Sequence, residues 1–175
     1  MNKIGFWSHT EGDYKCFSNF YPCKFVYAHR QFNCTEQAFM WMKAMTFNDN
    51  ETAAKILNET DPLKIKRLGR EVKNYDDTKW NEIRYNIMYQ VNMAKYFHNK
   101  DLRKLLIDTK DAYLFENSPF DYIWGVGKKG TGQNLLGKVL MDIRKYYRDI
   151  VNGDVLWYDI IYGIYHIIIK IYLKA

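Results

Sequence analysis

The chain of 175 residues is short of the features that mark scaffold and cofactor proteins. Its three cysteines, Cys16, Cys23 and Cys34, are an odd number with no Cys-x-x-Cys pair, which excludes a disulfide framework and fits a reducing cytosol. Adding His29 gives a Cys3His set, but six, five and four intervening residues are not the paired knuckles zinc takes, so no metal and no cofactor are expected. No Gly-Lys-Ser/Thr step closes a phosphate loop of the Walker type. No internal repeat or low-complexity linker divides the chain, so one domain is expected. Met1-Asn2-Lys3 leads straight into Ile4-Gly5-Phe6-Trp7, so no signal peptide is expected and the location reads as cytoplasmic.

Flat side chains are what the sequence has in excess. Five Trp, fifteen Tyr and ten Phe make 17% of the residues, which suits a protein that stacks on planar rings, although aromatics also fill cores. The formal net charge of +6 favours an anionic partner such as a nucleotide or nucleic acid, against the plainer reading of solubility charge.

The first third reads as short strands, with a hairpin from Cys23–Tyr27 and Arg30–Phe32 around a turn at Ala28-His29. Asn33 and Glu36 have capping-box spacing, so a helix is expected to start at Asn33 and to carry Ala38, Phe39, Met42 and Met45. Short helices follow after Asn50 and after Asp61-Pro62, the second closed by Gly69. Trp80, Ile83, Ile87, Val91 and Ala94 predict a long helix from Asp77 to about Asn99. A helix over Asp101–Asp108, a strand over Ala112–Phe115, a glycine-rich loop and a helix over Asn134–Ile150 complete the pattern.

Residues 151–175 differ in composition: seven of the twelve residues from Ile160 to Ile171 are Ile. A polar stripe of Asp159, Gly163, His166, Lys170 and Lys174 suggests an amphipathic helix, and the β-branched density suggests a strand. Asp159, His166 and Lys170 argue against a membrane-spanning segment, and packing against the domain or a second subunit is preferred to membrane contact.

Three features carry candidate chemistry. Glu36 opens a helix whose next two turns bring Lys43 to the same face, where burial would perturb both groups; a cap or an exposed ion pair is the plainer reading. The stretch from Ser118 to Asn134 holds Asp121, Gly125, Gly127, Lys128, Lys129, Gly130 and Gly132 just before a helix, an arrangement suited to phosphate or to a surface turn. Trp41, Trp80 and Trp124 are candidates for stacking or for core.

In order, these pieces resemble the NADAR (YbiA-like) family. Phe17-Ser18-Asn19-Phe20-Tyr21-Pro22 resembles its opening motif, and Thr35-Glu36-Gln37-Ala38-Phe39-Met40-Trp41-Met42-Lys43-Ala44 its central helix. Leu68-Gly69-Arg70-Glu71-Val72, then Trp80, Arg84 and Met88, resemble the middle block. Leu114, Glu116, Ser118-Pro119, Asp121, Trp124-Gly125-Val126-Gly127, Asn134 to Gly137, Leu140-Met141 and Arg144 resemble the closing block. The tail has no counterpart, so residues 1–150 are taken as the domain and 151–175 as an extension.

The resemblance implies an α+β, mostly helical, single compact domain with short N-terminal strands. It also implies a pocket that binds a ribosyl nucleotide or ADP-ribose and cleaves a C–N bond at the anomeric carbon. Such cleavage needs a carboxylate near the developing cation and a proton for the leaving nitrogen. The implied catalytic residues are Glu36, Lys43 and Asp121, with Lys43 offering a Schiff-base route. The implied substrate contacts are Asn19, Phe20, Trp80, Arg84, Trp124, Gly125, Gly127 and Asn134. Three functions remain open at this point: release of ADP-ribose from guanine bases in nucleic acid, cleavage of phosphoribosylamino-pyrimidine intermediates of riboflavin synthesis, or ADP-ribose or NAD binding without cleavage.

Overall fold

The computed structural model describes residues 2–8 and 12–151. Among these, helical periodicity produces α1 (Thr35–Thr46), α2 (Asn50–Asn58), α3 (Pro62–Arg70), α4 (Asp77–His98), α5 (Lys100–Asp108) and α6 (Leu135–Val151). Four short strands join them: β1 (Lys3–Phe6), β2 (Phe25–Tyr27), β3 (Arg30–Phe32) and β4 (Tyr113–Glu116). The fold is thus α+β and mostly helical, as the resemblance implies.

Aspartates set three helix starts. Asp49 accepts from the Thr52 amide (3.1 Å), Asp61 from Leu63 (2.8 Å) with Pro62 opening α3, and Asp76 from Lys79 (2.9 Å). The hairpin pairs Phe25 with Phe32 and Tyr27 with Arg30, and its two-residue turn has positive φ at both Ala28 (48°) and His29 (58°). The other pair of strands is parallel and joins distant parts of the chain, with Lys3 opposite Tyr113 and Phe6 opposite Glu116.

Helix α1 sits at the centre, packed against α2, α3, α4 and β3. The buried stripe of α4 runs through Trp80, Ile87, Met88, Val91, Asn92, Lys95 and Tyr96; Ile83 and Ala94, expected in the core, are only half-buried. Leu136, Val139, Leu140, Ile143 and Tyr147 bind α6 to the same core.

The capping-box expectation needs correction. Helix α1 starts at Thr35 with Cys34 as its cap residue, and the side chain that accepts from the Asn33 amide is Gln37 (2.9 Å), not Glu36. The shift leaves the Glu36 carboxyl outside that capping bond. No helix among the described residues is long and apolar enough to cross a membrane. The expectations for the tail lie outside the described residues.

Candidate active site

Glu36 lies in the first turn of α1, where its amide donates to Asn19 O (2.9 Å). That bond ties the opening Ser-Asn-Phe segment to the helix start. The side chain is 5% exposed, and burial pushes its carboxyl from the ordinary 4.5 up to about 7. Lys66 and Arg70 on α3 oppose the shift and Asp121 adds to it, so the chain surrounds Glu36 with charges from two other elements.

A second carboxyl meets it from β4. Glu116 is pushed up to about 8, first by burial, then by Asp121 and Glu36 acting against Lys66. Its backbone is clamped on both sides: the amide donates to Asn134 Oδ1 (3.1 Å) and the carbonyl accepts from Val126 N (2.9 Å). Two carboxyls with raised pKa values, both within reach of the Lys66 and Asp121 charges, are an arrangement suited to proton transfer.

Asp121 belongs to the same cluster but is differently engaged. Its Oδ1 accepts from the Ile123 (3.0 Å) and Trp124 (2.8 Å) amides, and its Oδ2 lies 3.5 Å from Lys66 Nζ. All of these partners are donors, so the carboxylate anchors the loop and positions Lys66.

From Glu36, the face of α1 continues through Phe39 and Met40 to Lys43, roughly 10 Å along the axis. Trp124 (ring centroids 5.2 Å, edge-on) and Trp80 (5.2 Å, tilted) flank Phe39. Gly69 permits the close approach of α3, because a methyl group there would run into Met40 Sδ. Lys43 Nζ donates to Gly69 O (2.8 Å) and lies 4.1 Å from the Tyr75 ring centroid. Burial lowers its pKa, Asp77 opposes the shift and Arg70 adds to it. Phe39, 2% exposed, is thus packed between the two indole rings, with Glu36 toward one end of this helix face and a partly desolvated amine toward the other.

The remaining sequence candidates are distributed as follows. Phe20 borders the cluster, 5.8 Å from Lys66 Nζ. The Asn19 side chain faces α4, donating to Met88 Sδ (3.4 Å) and accepting from Asn92 (3.4 Å). Asn134, with φ of 53°, donates to Tyr113 OH and Leu114 O, so its amide group braces β4. Arg84 is half-buried on α4, where its charge acts on Tyr75. Trp41 packs on Phe32 in the core.

Gly125 lets the loop pass close to Glu116 O, while Gly127 (φ 65°) lies against the Tyr122 ring. The first two amides of α6, Leu135 and Leu136, donate to Ile123 O and Trp124 O, so the glycine loop uses that helix end for itself. Glu116, Lys66 and Arg70 are the site residues that spacing does not single out, although Glu116 and Arg70 fall within the blocks that carry the resemblance. Two hollows elsewhere, on α6 around Arg144 and beside α2 around Lys55, include none of the candidate residues. Among the described residues no group of three or more His, Cys, Asp or Glu side chains is placed to hold a metal ion.

The NADAR domain profile matches residues 5–148, the span that holds every one of these groups. The chain belongs to the NADAR family. An N-glycosidase of Acanthamoeba polyphaga mimivirus is 40% identical over 121 residues, covering 63% of this chain and 71% of the relative. A riboflavin biosynthesis protein of Vibrio vulnificus is 32% identical over 73% of this chain but only 34% of its own length. The solved structure of Escherichia coli YbiA superposes with a TM-score of 0.76 over 89% of each chain at 28% identity, and YbiA is named an N-glycosidase. This NADAR kinship supports the same enzyme class here, a hydrolase of N-glycosyl compounds.

Proposed function

We propose that the protein is an N-glycosidase that releases ADP-ribose from guanine bases in nucleic acid. The observation that carries this reading is the pair Glu36–Glu116, two carboxyls with raised pKa values that meet the same Lys66 and Asp121 charges. Ionised Glu36 faces the anomeric carbon and stabilises the positive charge that develops as the C–N bond breaks. The leaving nitrogen takes the bonding electron pair and a proton from neutral Glu116. Water adds to the anomeric carbon and loses its proton to the carboxylate that remains, giving free ADP-ribose and the unmodified base. Lys66 and Arg70, whose charges reach Glu36, suit the diphosphate, and half-buried Trp124 suits a flat end of the ligand, while Trp80 is packed in the core behind Phe39.

The test is a single-stranded oligonucleotide carrying ADP-ribose on guanine. The wild type releases ADP-ribose, and Glu36→Gln loses on the order of 10²–10⁴-fold in rate with its fold intact. Full activity in Glu36→Gln contradicts the assignment. ADP-ribose bound tightly but not released makes the protein a binding module instead.

One observation favours a second substrate: the Vibrio vulnificus relative is named a riboflavin biosynthesis protein. A phosphoribosylamino-pyrimidine presents the same anomeric C–N bond to the same carboxyls. Turnover of that mononucleotide without release from the oligonucleotide moves the substrate to this class.

A further inference from the structure

The loop that carries Asp121 also holds a surface that the reaction does not use. Phe120 is 85% exposed, the most of any large apolar side chain among the described residues, and Tyr122 (46%) and Ile123 (37%) are exposed beside it. A loose loop would turn such groups inward. Here it is pinned: Phe120 N donates to Ser118 Oγ (3.4 Å), and Tyr122 O and Ile123 O accept from Gln133 N (2.9 Å) and Leu135 N (3.1 Å). The backbone that presents these side chains is therefore held in place, and an apolar patch presented beside the carboxyl cluster marks a binding surface.

The exposed charges around it are mostly positive, and the carboxylate in the loop itself, Asp121, is half-buried and turned to Lys66. Tyr122 lies against Gly127, so exposed Lys128 and Lys129 follow directly after the ring. On the other side Lys66 pairs with Asp121, and its helix α3 carries Lys64, Lys66, Arg67 and Arg70 with no acidic residue. Of these, Lys64 lies 4.0 Å from Glu59, while Arg67 and Arg70 form no ion pair among the described residues. Flat rings flanked by cations match the alternation of bases and phosphates in a single strand. A protein partner would not call for cations on both sides of the rings, and a membrane would favour deeper aliphatic groups.

Given the nucleic-acid substrate proposed above, we infer that Phe120 and Tyr122, between Lys128-Lys129 and Lys66, form a rim that holds the single strand flanking the modified base. Phe120 stacks on a neighbouring base and the cations take its phosphates. The rim thereby selects strands over free nucleotides.

The test separates binding from turnover. Fluorescence anisotropy with an unmodified single-stranded 12-mer reads the rim alone; Phe120→Ala weakens binding on the order of 10-fold. Lys128→Gln with Lys129→Gln lowers the slope of log affinity against log salt by roughly one unit. Hydrolysis of an ADP-ribosylated guanosine too small to reach the rim is unchanged by either variant, whereas cleavage of the modified oligonucleotide falls. No binding of the 12-mer by the wild type overturns the rim, as does binding unaffected by both variants or retention by anionic vesicles in its place. Turnover of neither modified substrate, with binding intact, would overturn the proposed reaction and leave the rim standing.

Discussion

At the scale of single residues, the site depends on how each carboxyl is held. Glu36 and Asp121 look alike in sequence, each a carboxylate near a helix or turn. The structure separates them: Asp121 is held by two amides and Lys66, while Glu36 is buried and its proton affinity raised. Glu116 joins Glu36 only because a parallel strand pair sets which way β4 faces, and pairing between residues 3–6 and 113–116 leaves no local signal. Lys43 offers a different chemistry. Burial pushes its amine toward the neutral form, and a neutral amine can trap the aldehyde of a ring-opened ribose. If it does, borohydride added during turnover inactivates the enzyme and leaves a stable adduct on Lys43. Turnover at an unchanged rate in Lys43→Arg, with no adduct, would leave Lys43 a binding cation.

At the scale of elements, the helices were legible because their apolar residues recur at three- and four-residue steps and three of their starts carry aspartates. The face of α4 was less legible, since its core stripe includes Lys95, a residue that composition places in water. Lys95 Nζ donates to Cys16 O (2.7 Å) and Ser18 O (3.2 Å), and burial lowers its pKa. These carbonyls lead into Asn19, whose own carbonyl receives the Glu36 amide, so Lys95 braces the segment that seats α1. Lys95→Met removes the cost of burying a charge but leaves Cys16 O without its donor; Ser18 O keeps the Tyr21 amide. The lost donor outweighs the relief, by about 1–3 kcal/mol, and the thermal midpoint falls several degrees. A midpoint raised by the substitution would show that desolvation dominates. The same long-range logic hid Lys66 and Arg70: which face of α3 meets α1 is decided by Gly69 against Met40, and no periodicity reports it.

At the scale of the whole molecule, the site is costly to the fold. Glu36 and Glu116 keep their protons in the folded chain at pH values where the unfolded chain has released them, so the folded state binds more protons and loses stability as pH rises from about 5 to about 8. Calorimetry should give a lower midpoint at pH 8 than at pH 6, and the Glu36→Gln, Glu116→Gln double variant should remove most of that difference. An equal pH dependence in the double variant would assign the effect to other groups. The most direct test of the account is the pH–rate profile of ADP-ribose release by the wild type beside Glu116→Gln. The account predicts a wild-type maximum between about 7 and 8, falling on the acid side as Glu36 gains a proton and on the alkaline side as Glu116 loses one, with release by Glu116→Gln reduced on the order of 10²-fold or more. A flat profile, or full release by Glu116→Gln, would contradict it.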